Sequence, residues 1–585
     1  MILKYANCIE VNNKNIDIKA QGDSKIFYLK NDEYFKIVKI ILKGNTNIDI
    51  NIEASQDCIH WKKCDKVFKF NECVDIYFDD DKNKYLKLNN RVLTSSLKFY
   101  AQIYPIFMMQ SPAGWGDRMI ALLNAMYLSK TLKCYFGFTW EEFKINIVDN
   151  KNNTYNCMVC KESDIFTKEF INRHSYTRVY QSPYKFFLEN NKWYDNIFIS
   201  KDSVEDYLKK PFQYDWGYCT NHSSLKYYIK NIKADYCKDF PELWNEIGFS
   251  DTMYDIFTEV ETTWRGLIKK SRYEDFIAIH IRSGEMIYAN NTDLYSQTGH
   301  NYIWHKILPI EILIEIIEKY SNNNSIILFG EDITTLRLVC QYFKKPNLYI
   351  ANDYLPNEYS NNWKKEIFDL MLMSKTKEII GGTSGFARLA SLISRGDEPT
   401  FWIDLFDEKK RLQIFDKHFG KINIDKMYQS FSLGYMYLGE MHNNGNFSKA
   451  KKMIKKALEL DEKRGIHNIA YIYCCIMLDE YELAEEHLRE ILYLRKKDFL
   501  YTMSHCILLE YFKKNIFTRS QIFDYPNIAF LYTFFNKENI LKQKLISVYK
   551  NDTAVFRVTN SLSYKLGKTI LASNNIFSVT VLPFK

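Results

Sequence analysis

The chain has 585 residues, and at roughly 150 residues per domain this length predicts about four domains. Its 79 Lys and Arg against 71 Asp and Glu give a net charge of +8, too dilute for the basic face that binds a nucleic-acid backbone. Hydrophobic residues at 46%, with only 21 Gly and 11 Pro, exclude collagen-like and largely disordered chains.

The cysteines and the amino-terminal sequence predict a cytoplasmic protein. The 13 scattered cysteines are odd in number, and Met1 is followed by polar sequence rather than by a signal segment. The longest apolar stretch, around residues 469–478, is about half as long as a membrane span. We therefore expect no transmembrane segment, and we expect any membrane contact to be peripheral, at the inner face.

Residues 1–98 predict a small β-sandwich, because short alternating runs such as 35–42 are separated by Asn, Asp and Gly clusters. Residues 55–61 resemble the S-x-D-G-x-x-W hairpin of discoidin-like modules, with Cys58 in place of the turn Gly, and residues 85–88 resemble their late strand. The resemblance implies carbohydrate binding. A β module that only braces its neighbour explains the pattern equally well.

From residue 99 the pattern changes to strands followed by long helices, which is typical of α/β folds with parallel sheets. We predict one Rossmann-like half over residues 99–272 and a second, nucleotide-binding half over residues 273–424. The first opens with a strand at 100–109 and an amphipathic helix at 118–132. The later elements are predicted at 251–270 (helix), 276–281 (strand), 309–320 (helix), 325–329 (strand), 332–344 (helix), 348–350 (strand), 363–374 (helix), 378–380 (strand) and 384–395 (helix).

Residues 425–500 are predicted to form tetratricopeptide-like helical repeats. The segments 446–450 and 480–484 align at a spacing of 34 residues, and each ends in a small Ala that lets paired helices approach. Such repeats could recruit assembly proteins as partners. Residues 501–585 are of mixed character and receive no assignment.

The strongest local signal is His280-Ile-Arg282-Ser-Gly-Glu285, which follows the predicted strand 276–281. Ligands of doubly wound sheets bind at the carboxyl ends of the strands. An arginine there offers a planar, permanently charged fork to phosphate oxygens. An ion pair of Arg282 with Glu285 or Glu331 is the structural alternative.

Two glycine-containing turns accompany this motif. Gly381-Gly-Thr-Ser-Gly-Phe follows a later strand and opens a helix with Ser384 near its N-cap, so its N–H groups form an anion site. Ala113-Gly-Trp-Gly-Asp-Arg118 joins a strand to a helix, where Gly114 and Gly116 allow close backbone approach. For this second turn, a plain tight turn is an equally good explanation.

Together these segments resemble the fucosyltransferase-like glycosyltransferases of the GT-B fold, which use GDP-sugars. Their G-x-G-N-R turn is matched by residues 114–118, with Asp117 for Asn, and their H-x-R-x-G/T-D motif by residues 280–285, with Glu285 for Asp. Their late D…S and S-S/G-F segments are matched by residues 369–374 and 383–386. The resemblance covers about residues 99–410.

The resemblance implies that Arg282 grips the β-phosphate of GDP and that His280 lies against the nucleotide. Asp369 would contact guanine or ribose, and Ser384 the diphosphate. Ser283 stands where many relatives carry a second Arg, so Lys306 or Arg388 would supplement the grip. The implied donor-binding set is His280, Arg282, Glu331, Asp332, Asp369, Thr383, Ser384, Gly385, Gly114, Gly116 and Arg118.

Inverting sugar transfer also needs a base that takes the proton of the acceptor hydroxyl. Glu285 is the first candidate and Asp117 the second. Residues 286–306 are polar and aromatic and suit either an acceptor-binding lid or an ordered surface loop. We expect no metal cofactor, because residues 79–81 are predicted to form a solvated turn rather than a metal site, and Cys157 and Cys160 are predicted to be free thiols. The glycosylation sequon at 290–292 has no meaning in a cytoplasmic protein.

The sequence therefore predicts an inverting, metal-independent glycosyltransferase that moves a heptose or fucose-type sugar from a GDP-sugar to a growing surface polysaccharide. The domain layout resembles that of bacterial capsular polysaccharide transferases, including heptosyltransferases. Heptose and fucose donors present the same GDP, so the motifs do not separate them. The alternatives are an O- or core-type fucosyltransferase acting on a protein or lipid-linked glycan, and an inactive glycan-assembly scaffold.

Overall fold

A computed structural model gives the structure of the chain, and the chain divides into two compact units. One unit comprises residues 1–290 and 302–428, and the other residues 291–301 and 429–585. The protein is a mixed α/β structure that contains parallel sheets. The structure describes residues 8–10, 16–21, 24–29, 36–43, 51–55, 62–63, 67–70, 73–77, 85–89, 98–111, 113–148, 154–177, 201–209, 218–288, 305–360, 362–443, 445–506 and 508–535.

The amino-terminal strands form two antiparallel sheets of five strands each. Their orders are β1-β10-β4-β8-β7 and β2-β3-β9-β5-β6. The predicted discoidin-like hairpin continues past Ser55 into 56–61, which lies outside the described residues, as does the segment 79–81. The strands are β1 Cys8–Glu10, β2 Ile16–Gln21, β3 Ser24–Leu29, β4 Lys36–Lys43, β5 Asn51–Ser55, β6 Lys62–Lys63, β7 Val67–Phe70, β8 Cys73–Tyr77, β9 Tyr85–Asn89 and β10 Lys98–Tyr104.

The strand predicted at 100–109 is wrong as a single element, because the chain changes sheets at Pro105. Strand β10 is antiparallel to β4, whereas β11 (Phe107–Gln110) is parallel to both β12 (Phe136–Thr139) and β15 (Tyr218–Thr220). Proline has no backbone N–H to donate to a ladder, so it suits the junction between two sheets. A separate hairpin joins β13 (Phe143–Val148) to β14 (Thr154–Val159).

The helices of this α/β region are centred on α1 (Trp115–Leu132), which is buried on nearly every side. The prediction of an amphipathic helix here is therefore wrong. Strand β11 packs on one side of α1, and helices from farther along the chain pack on others. The next helices are α2 Glu162–Ile165, α3 Lys168–His174, α4 Phe240–Asn245 and α5 Asp251–Lys270.

The second parallel sheet has five strands in the order β18-β17-β16-β19-β20. The elements predicted between residues 276 and 395 lie within about two residues of their predicted positions, because buried apolar runs alternate with capped helices. The short helix at 284–288 and the elements after residue 395 were not predicted. The strands are β16 Phe276–Ile281, β17 Ser325–Gly330, β18 Leu348–Ile350, β19 Glu378–Gly381 and β20 Thr400–Phe401. The helices are α6 Gly284–Tyr288, α7 Ile310–Tyr320, α8 Ile333–Phe343, α9 Lys364–Ser374, α10 Gly385–Arg395, α11 Trp402–Leu405 and α12 Glu408–His418.

The carboxyl-terminal unit is helical over its described residues. The helix Gly465–Met477 packs against both Phe447–Leu460 and Tyr481–His505, and Ala450 and Ala484 in these two neighbours are fully buried. No helix in the described part of the chain is long and apolar enough to cross a membrane. The helices are α13 Lys426–Asn443, α14 Phe447–Leu460, α15 Gly465–Met477, α16 Tyr481–His505 and α17 Leu508–Asn515.

Candidate functional site

The candidate site lies where the strand order of the second parallel sheet reverses. From β16 the chain adds β17 and β18 on one side and β19 and β20 on the other. Helices that leave neighbouring strands in opposite directions open a crevice at such a point, and ligands of open α/β sheets bind there. His280 lies near the end of β16 opposite Gly381 of β19, and Arg282 follows directly.

Arg282 forms an ion pair with Glu331, with 2.8 Å between its Nη1 and the Glu331 Oε1. The two side chains are 25% and 27% exposed. The other oxygen, Glu331 Oε2, is buried without a hydrogen-bond partner. It lies against Gly284, where an added Cβ would come within 1.7 Å of it. The sequence left open whether Arg282 binds phosphate or forms an ion pair with Glu285 or Glu331, and in the structure it forms the ion pair with Glu331.

His280 is a buried, neutral imidazole. The residue is 5% exposed and its ring centroid lies 5.5 Å from that of Phe386. Its Nδ1 is buried without a hydrogen-bond partner. Burial, aided by the charge of Arg282, lowers the pKa of His280 to about 3. The imidazole is therefore neutral at physiological pH and leaves one ring nitrogen for a ligand.

Helix α9 brings Asp369 and Lys365 to the same place. Lys365 Nζ lies 2.7 Å from Asp369 Oδ2, one helical turn away. Burial acts to lower the pKa of Lys365, but Asp369 and nearby carboxylates outweigh it and raise that pKa. Asp369 is 8% exposed and its Oδ1 has no hydrogen-bond partner. A buried carboxylate oxygen without a donor suits a ligand that carries N–H or O–H groups.

Glu366 is a member of the site that the sequence analysis missed. Its Oε1 accepts a hydrogen bond of 2.9 Å from the backbone N–H of Met158, 208 residues earlier in the chain. Burial raises the pKa of Glu366 to about 8, and Glu331 adds to the effect. The available signal was its position beside Lys365 and one turn before Asp369 on one helix.

The glycine turn of the first parallel sheet meets the start of α10. A Cβ added to Gly116 would lie 2.2 Å from the carbonyl carbon of Gly385, so only glycine permits this approach. Ser384 caps α10 by accepting a hydrogen bond from the N–H of Phe386. Asp117 Oδ1 lies only 2.0 Å from where a Cβ of Gly385 would be. A carboxylate of the chain itself thus faces the helix N-terminus predicted to bind an anion.

Arg118 stabilises the glycine turn from within. Its Nε donates to the carbonyl oxygen of Ala113 at 2.6 Å and its Nη1 to that of Glu141 at 2.7 Å. The guanidinium also lies 5.0 Å from the centroid of Trp140. Arg118 is 1% exposed. In this structure the side chain positions the turn instead of facing the crevice.

Other residues predicted to bind the donor form hydrogen bonds or ion pairs with groups of the protein itself. Asp332 accepts hydrogen bonds from the Thr335 N–H and from the Tyr288 hydroxyl, and so caps α8. The Thr383 N–H donates to the carbonyl oxygen of His305. Arg388, proposed as a supplementary phosphate ligand, instead pairs with Glu398 through Nε and Nη2 at 2.8 and 2.7 Å.

Several predicted features lie outside the described residues. The backbone of Glu285 lies in α6, but its side chain is not among those described, and neither are residues 289–304 of the predicted lid. The sequon 290–292 lies in the same stretch. Cys160 is a free, buried thiol, and burial raises its pKa. The backbone of Cys157 lies in β14.

Comparisons with protein-family models, with curated proteins and with solved structures find no match to this chain. Its chemistry must therefore be argued from the site itself. The crevice combines a cation at a strand end, a capped helix N-terminus and unpartnered oxygens of Asp369 and Glu331. Such a set can bind an anion at one end and hydrogen-bond donors at the other.

One group with the composition of a metal site comes from helices α7 and α12. Oxygens of Glu315 and Glu318 and a ring nitrogen of His418 lie within 4.8 Å of one another. Lys417 Nζ lies 2.8 Å from Glu315 Oε2 and 2.9 Å from Glu318 Oε2. The lysine ammonium thus already supplies the positive charge that these carboxylates need.

Proposed function

We propose that the chain is a GT-B-type inverting glycosyltransferase that moves a heptose or fucose-type sugar from a GDP-sugar to a bacterial surface polysaccharide. The observation that carries the proposal is the position of Arg282 and the Ser384-capped helix at the reversal point of the second parallel sheet, facing the glycine turn of the first. The proposal includes a GT-B fold, an amino-terminal β-sandwich and carboxyl-terminal tetratricopeptide-like repeats. The two antiparallel sheets and the packed helix pairs support it.

The chemistry of sugar transfer explains why such a site would catalyse it. When the anomeric C–O bond breaks, its electron pair goes to the departing GDP, and positive charge develops on the sugar. A fixed guanidinium and a helix N-terminus at the diphosphate stabilise that transition state. The acceptor oxygen bonds to the anomeric carbon and loses its proton to a base, for which Glu285 is our first candidate and Asp117 our second.

Unpartnered groups in the crevice would recognise the rest of the donor. Asp369 Oδ1 can accept hydrogen bonds from guanine N–H or ribose O–H groups, and His280 would lie against the nucleotide. The pairing of Arg282 with Glu331 must open, at least in part, before phosphate oxygens can take the guanidinium.

That pairing also supports a second candidate, an inactive glycan-assembly scaffold. In such a protein Glu331 would hold Arg282 permanently, and Asp117 would satisfy the α10 N-terminus in place of phosphate. An O- or core-type fucosyltransferase would use the same donor site, and only acceptor assays separate it from our first proposal.

Nucleotide binding by calorimetry tests the proposal. We would titrate GDP, UDP, CMP and ADP into the wild type and into Arg282→Ala, first without metal and then with Mg²⁺. The matched control is Arg337→Ala, which removes an arginine of helix α8 that is paired with Asp353 at 2.7 Å. GDP-selective, metal-independent binding that only Arg282→Ala abolishes would support the enzyme and justify assays with GDP-heptoses and GDP-fucose. Absence of nucleotide binding would favour the scaffold.

A further inference from the structure

The turn of residues 221–223 follows the carboxyl end of β15 in the first parallel sheet. In that sheet β11 lies between β12 and β15 and is parallel to both. The carboxyl ends of these three strands therefore form one edge, of the kind at which α/β sheets bind their ligands. The turn 221–223 lies at this edge.

Side chains from two helices fix the backbone of this turn. Asn124 of α1 donates through Nδ2 to the carbonyl oxygens of Asn221 and Ser223, at 2.8 and 3.1 Å. Arg388 of α10 donates through Nη1 to the carbonyl oxygen of His222 at 3.1 Å. The Ser223 N–H donates to Asn221 Oδ1 at 2.9 Å and closes the turn. Three consecutive carbonyl oxygens are thus bound, so the position of His222 is set before any ligand arrives.

Arg388 joins this turn to the start of α10. Its backbone N–H donates to the carbonyl oxygen of Ser384, the N-cap residue, so Arg388 lies one helical turn from the predicted diphosphate site. Its side chain is 14% exposed and paired with Glu398. Gly116, in the glycine turn of the first sheet, packs against the same helix start. The turn 221–223 and the predicted diphosphate site are therefore neighbours along α10.

The imidazole of His222 takes no part in holding the turn. The residue is partly exposed, and only its carbonyl oxygen is used in the contact with Arg388. Its ring nitrogens have no hydrogen-bond partner among the described residues. A neutral imidazole accepts a proton through a ring nitrogen, so this side chain can serve as a base without breaking a contact.

The other acidic side chains at this edge suit that role less well. Asp117 Oδ1 is lodged against Gly385 at the start of α10. Glu141 and Glu142, which follow β12, are exposed to solvent. Among the described side chains at the edge, the imidazole of His222 combines partial burial, a fixed backbone and unused ring nitrogens.

We propose that His222 is the general base of the sugar transfer. The acceptor oxygen bonds to the anomeric carbon while the bond from that carbon to the phosphate oxygen breaks, and its electron pair leaves with GDP. The acceptor's proton moves to a ring nitrogen of His222, and the imidazolium then returns it to solvent. The inference rests on the proposed function and assigns to His222 the role for which Glu285 and Asp117 were the candidates. Asn124 and Arg388 are positioning residues.

The experiment measures GDP release from GDP-fucose and from a GDP-heptose by the full-length protein, with water as the acceptor. His222→Gln keeps the carbonyl oxygen that Arg388 binds, so the turn should stay intact while the base is lost. The matched control is His487→Gln, which removes a partly exposed imidazole of α16 that bonds to Asn468 Oδ1 at 2.9 Å.

We expect His222→Gln to lower kcat about 100-fold or more, the usual contribution of a general base, and to leave GDP binding unchanged. The unfolding temperature should equal that of the wild type. Added imidazole should restore part of the turnover of His222→Ala, which a purely structural role would not allow. His487→Gln should behave as the wild type does.

The outcomes separate the inference from the proposed function. Full turnover in His222→Gln would overturn the inference and leave the proposed function standing. Loss of turnover together with loss of GDP binding, without rescue by imidazole, would also overturn it. If the wild type neither binds GDP nor releases it from either donor, both are wrong.

A second measurement requires no turnover. The NMR signal of the His222 ring, identified by its absence from His222→Gln, should shift when GDP binds, and its titration midpoint should rise, because the diphosphate charge favours the imidazolium. A signal that saturating GDP leaves unchanged would overturn the inference. The titratable and charged groups beside the turn are Arg388, Glu398, Asp117 and Tyr228.

Discussion

Arg282 has two possible partners in this site, and the competition between them can be measured. The carboxylate of Glu331 holds it in the free protein, and phosphate oxygens would hold it in the proposed complex. Both side chains are about a quarter exposed, so solvent weakens the pair and the exchange is feasible at modest cost.

We predict that Glu331→Gln tightens the binding of sulfate and GDP. Loss of the competing carboxylate should lower the dissociation constant several-fold, which corresponds to about 1 kcal/mol. Calorimetry of both anions is the measurement, and Asp353→Asn, the partner of Arg337, is the control that should change nothing. Weaker GDP binding would contradict competition. Weaker binding of GDP-sugars alone would show that Glu331 contacts the sugar.

The junction between helices α1 and α10 depends on two glycines. A Cβ added to Gly116 would overlap backbone atoms of Gly385, whereas a Cβ added to Gly385 would meet the side chain of Asp117. Backbone atoms, unlike side-chain ends, cannot move aside cheaply, so this contact sets the distance between the first sheet's glycine turn and the donor crevice.

We predict that Gly116→Ala destabilises the protein by about 2 kcal/mol and weakens nucleotide binding. The added methyl group would push the α1 start away from Gly385. Gly266→Ala is the matched control, because an added Cβ there meets nothing within 4 Å and alanine is the better helix former. Thermal unfolding of both variants is the measurement. Equal stability of the two variants would contradict the packing argument.

Asp332, the N-cap residue of α8, accepts more than one hydrogen bond. Asp332 accepts from the Thr335 N–H, the Thr335 hydroxyl and the Tyr288 hydroxyl, and is 7% exposed. Asp407 caps α12 through a single hydrogen bond to the N–H of Lys410 and is exposed.

We predict that Asp332→Ala costs more stability than Asp407→Ala. The second change should cost about 1 kcal/mol, the usual value of an N-cap. The first should cost about 2 to 4 kcal/mol, because it also removes the carboxylate that accepts hydrogen bonds from the Thr335 and Tyr288 hydroxyls. Chemical denaturation of both variants measures the difference. Equal costs would show that the Tyr288 contact contributes nothing.

For the whole molecule, buried histidines link stability to pH. Burial lowers the pKa of His174 to about 4 and that of His280 to about 3, and it lowers that of His467 in the other unit. Unfolded histidines titrate near pH 6.5. Below that pH the unfolded chain binds more protons than the folded one, so stability is present above about pH 6.5 and falls as the pH decreases.

We predict that the unfolding temperature decreases steadily between pH 6.5 and pH 4.5. Each buried histidine contributes up to about 1.4 kcal/mol per pH unit. His174→Gln should show a shallower decrease, since glutamine does not titrate and can still donate to the carbonyl oxygen of Phe136. Differential scanning calorimetry across this range is the test. Identical slopes for the variant and the wild type would contradict the assignment.

Much of the local structure was predictable from the sequence. Buried runs such as 276–281 and caps such as Ser384 predict strands and helix starts within a residue or two, because period and capping act over short distances. Arg282 and Ser384 were singled out by their places at a strand end and a helix start, and Asp369 by the family resemblance alone. Their assignment to a nucleotide remains a prediction.

Only the tertiary structure decided how these parts meet. The structure brings Gly116 against Gly385 and joins Met158 to Glu366 by a hydrogen bond, and no sequence pattern predicts which of these distant segments meet. It also shows that the strand predicted across Pro105 is divided between two sheets. The raised pKa of Glu366 and the unpartnered oxygens follow from burial. Burial depends on which elements pack together, so residue types and their spacing determine the elements, while long-range packing determines the charge and protonation of the site.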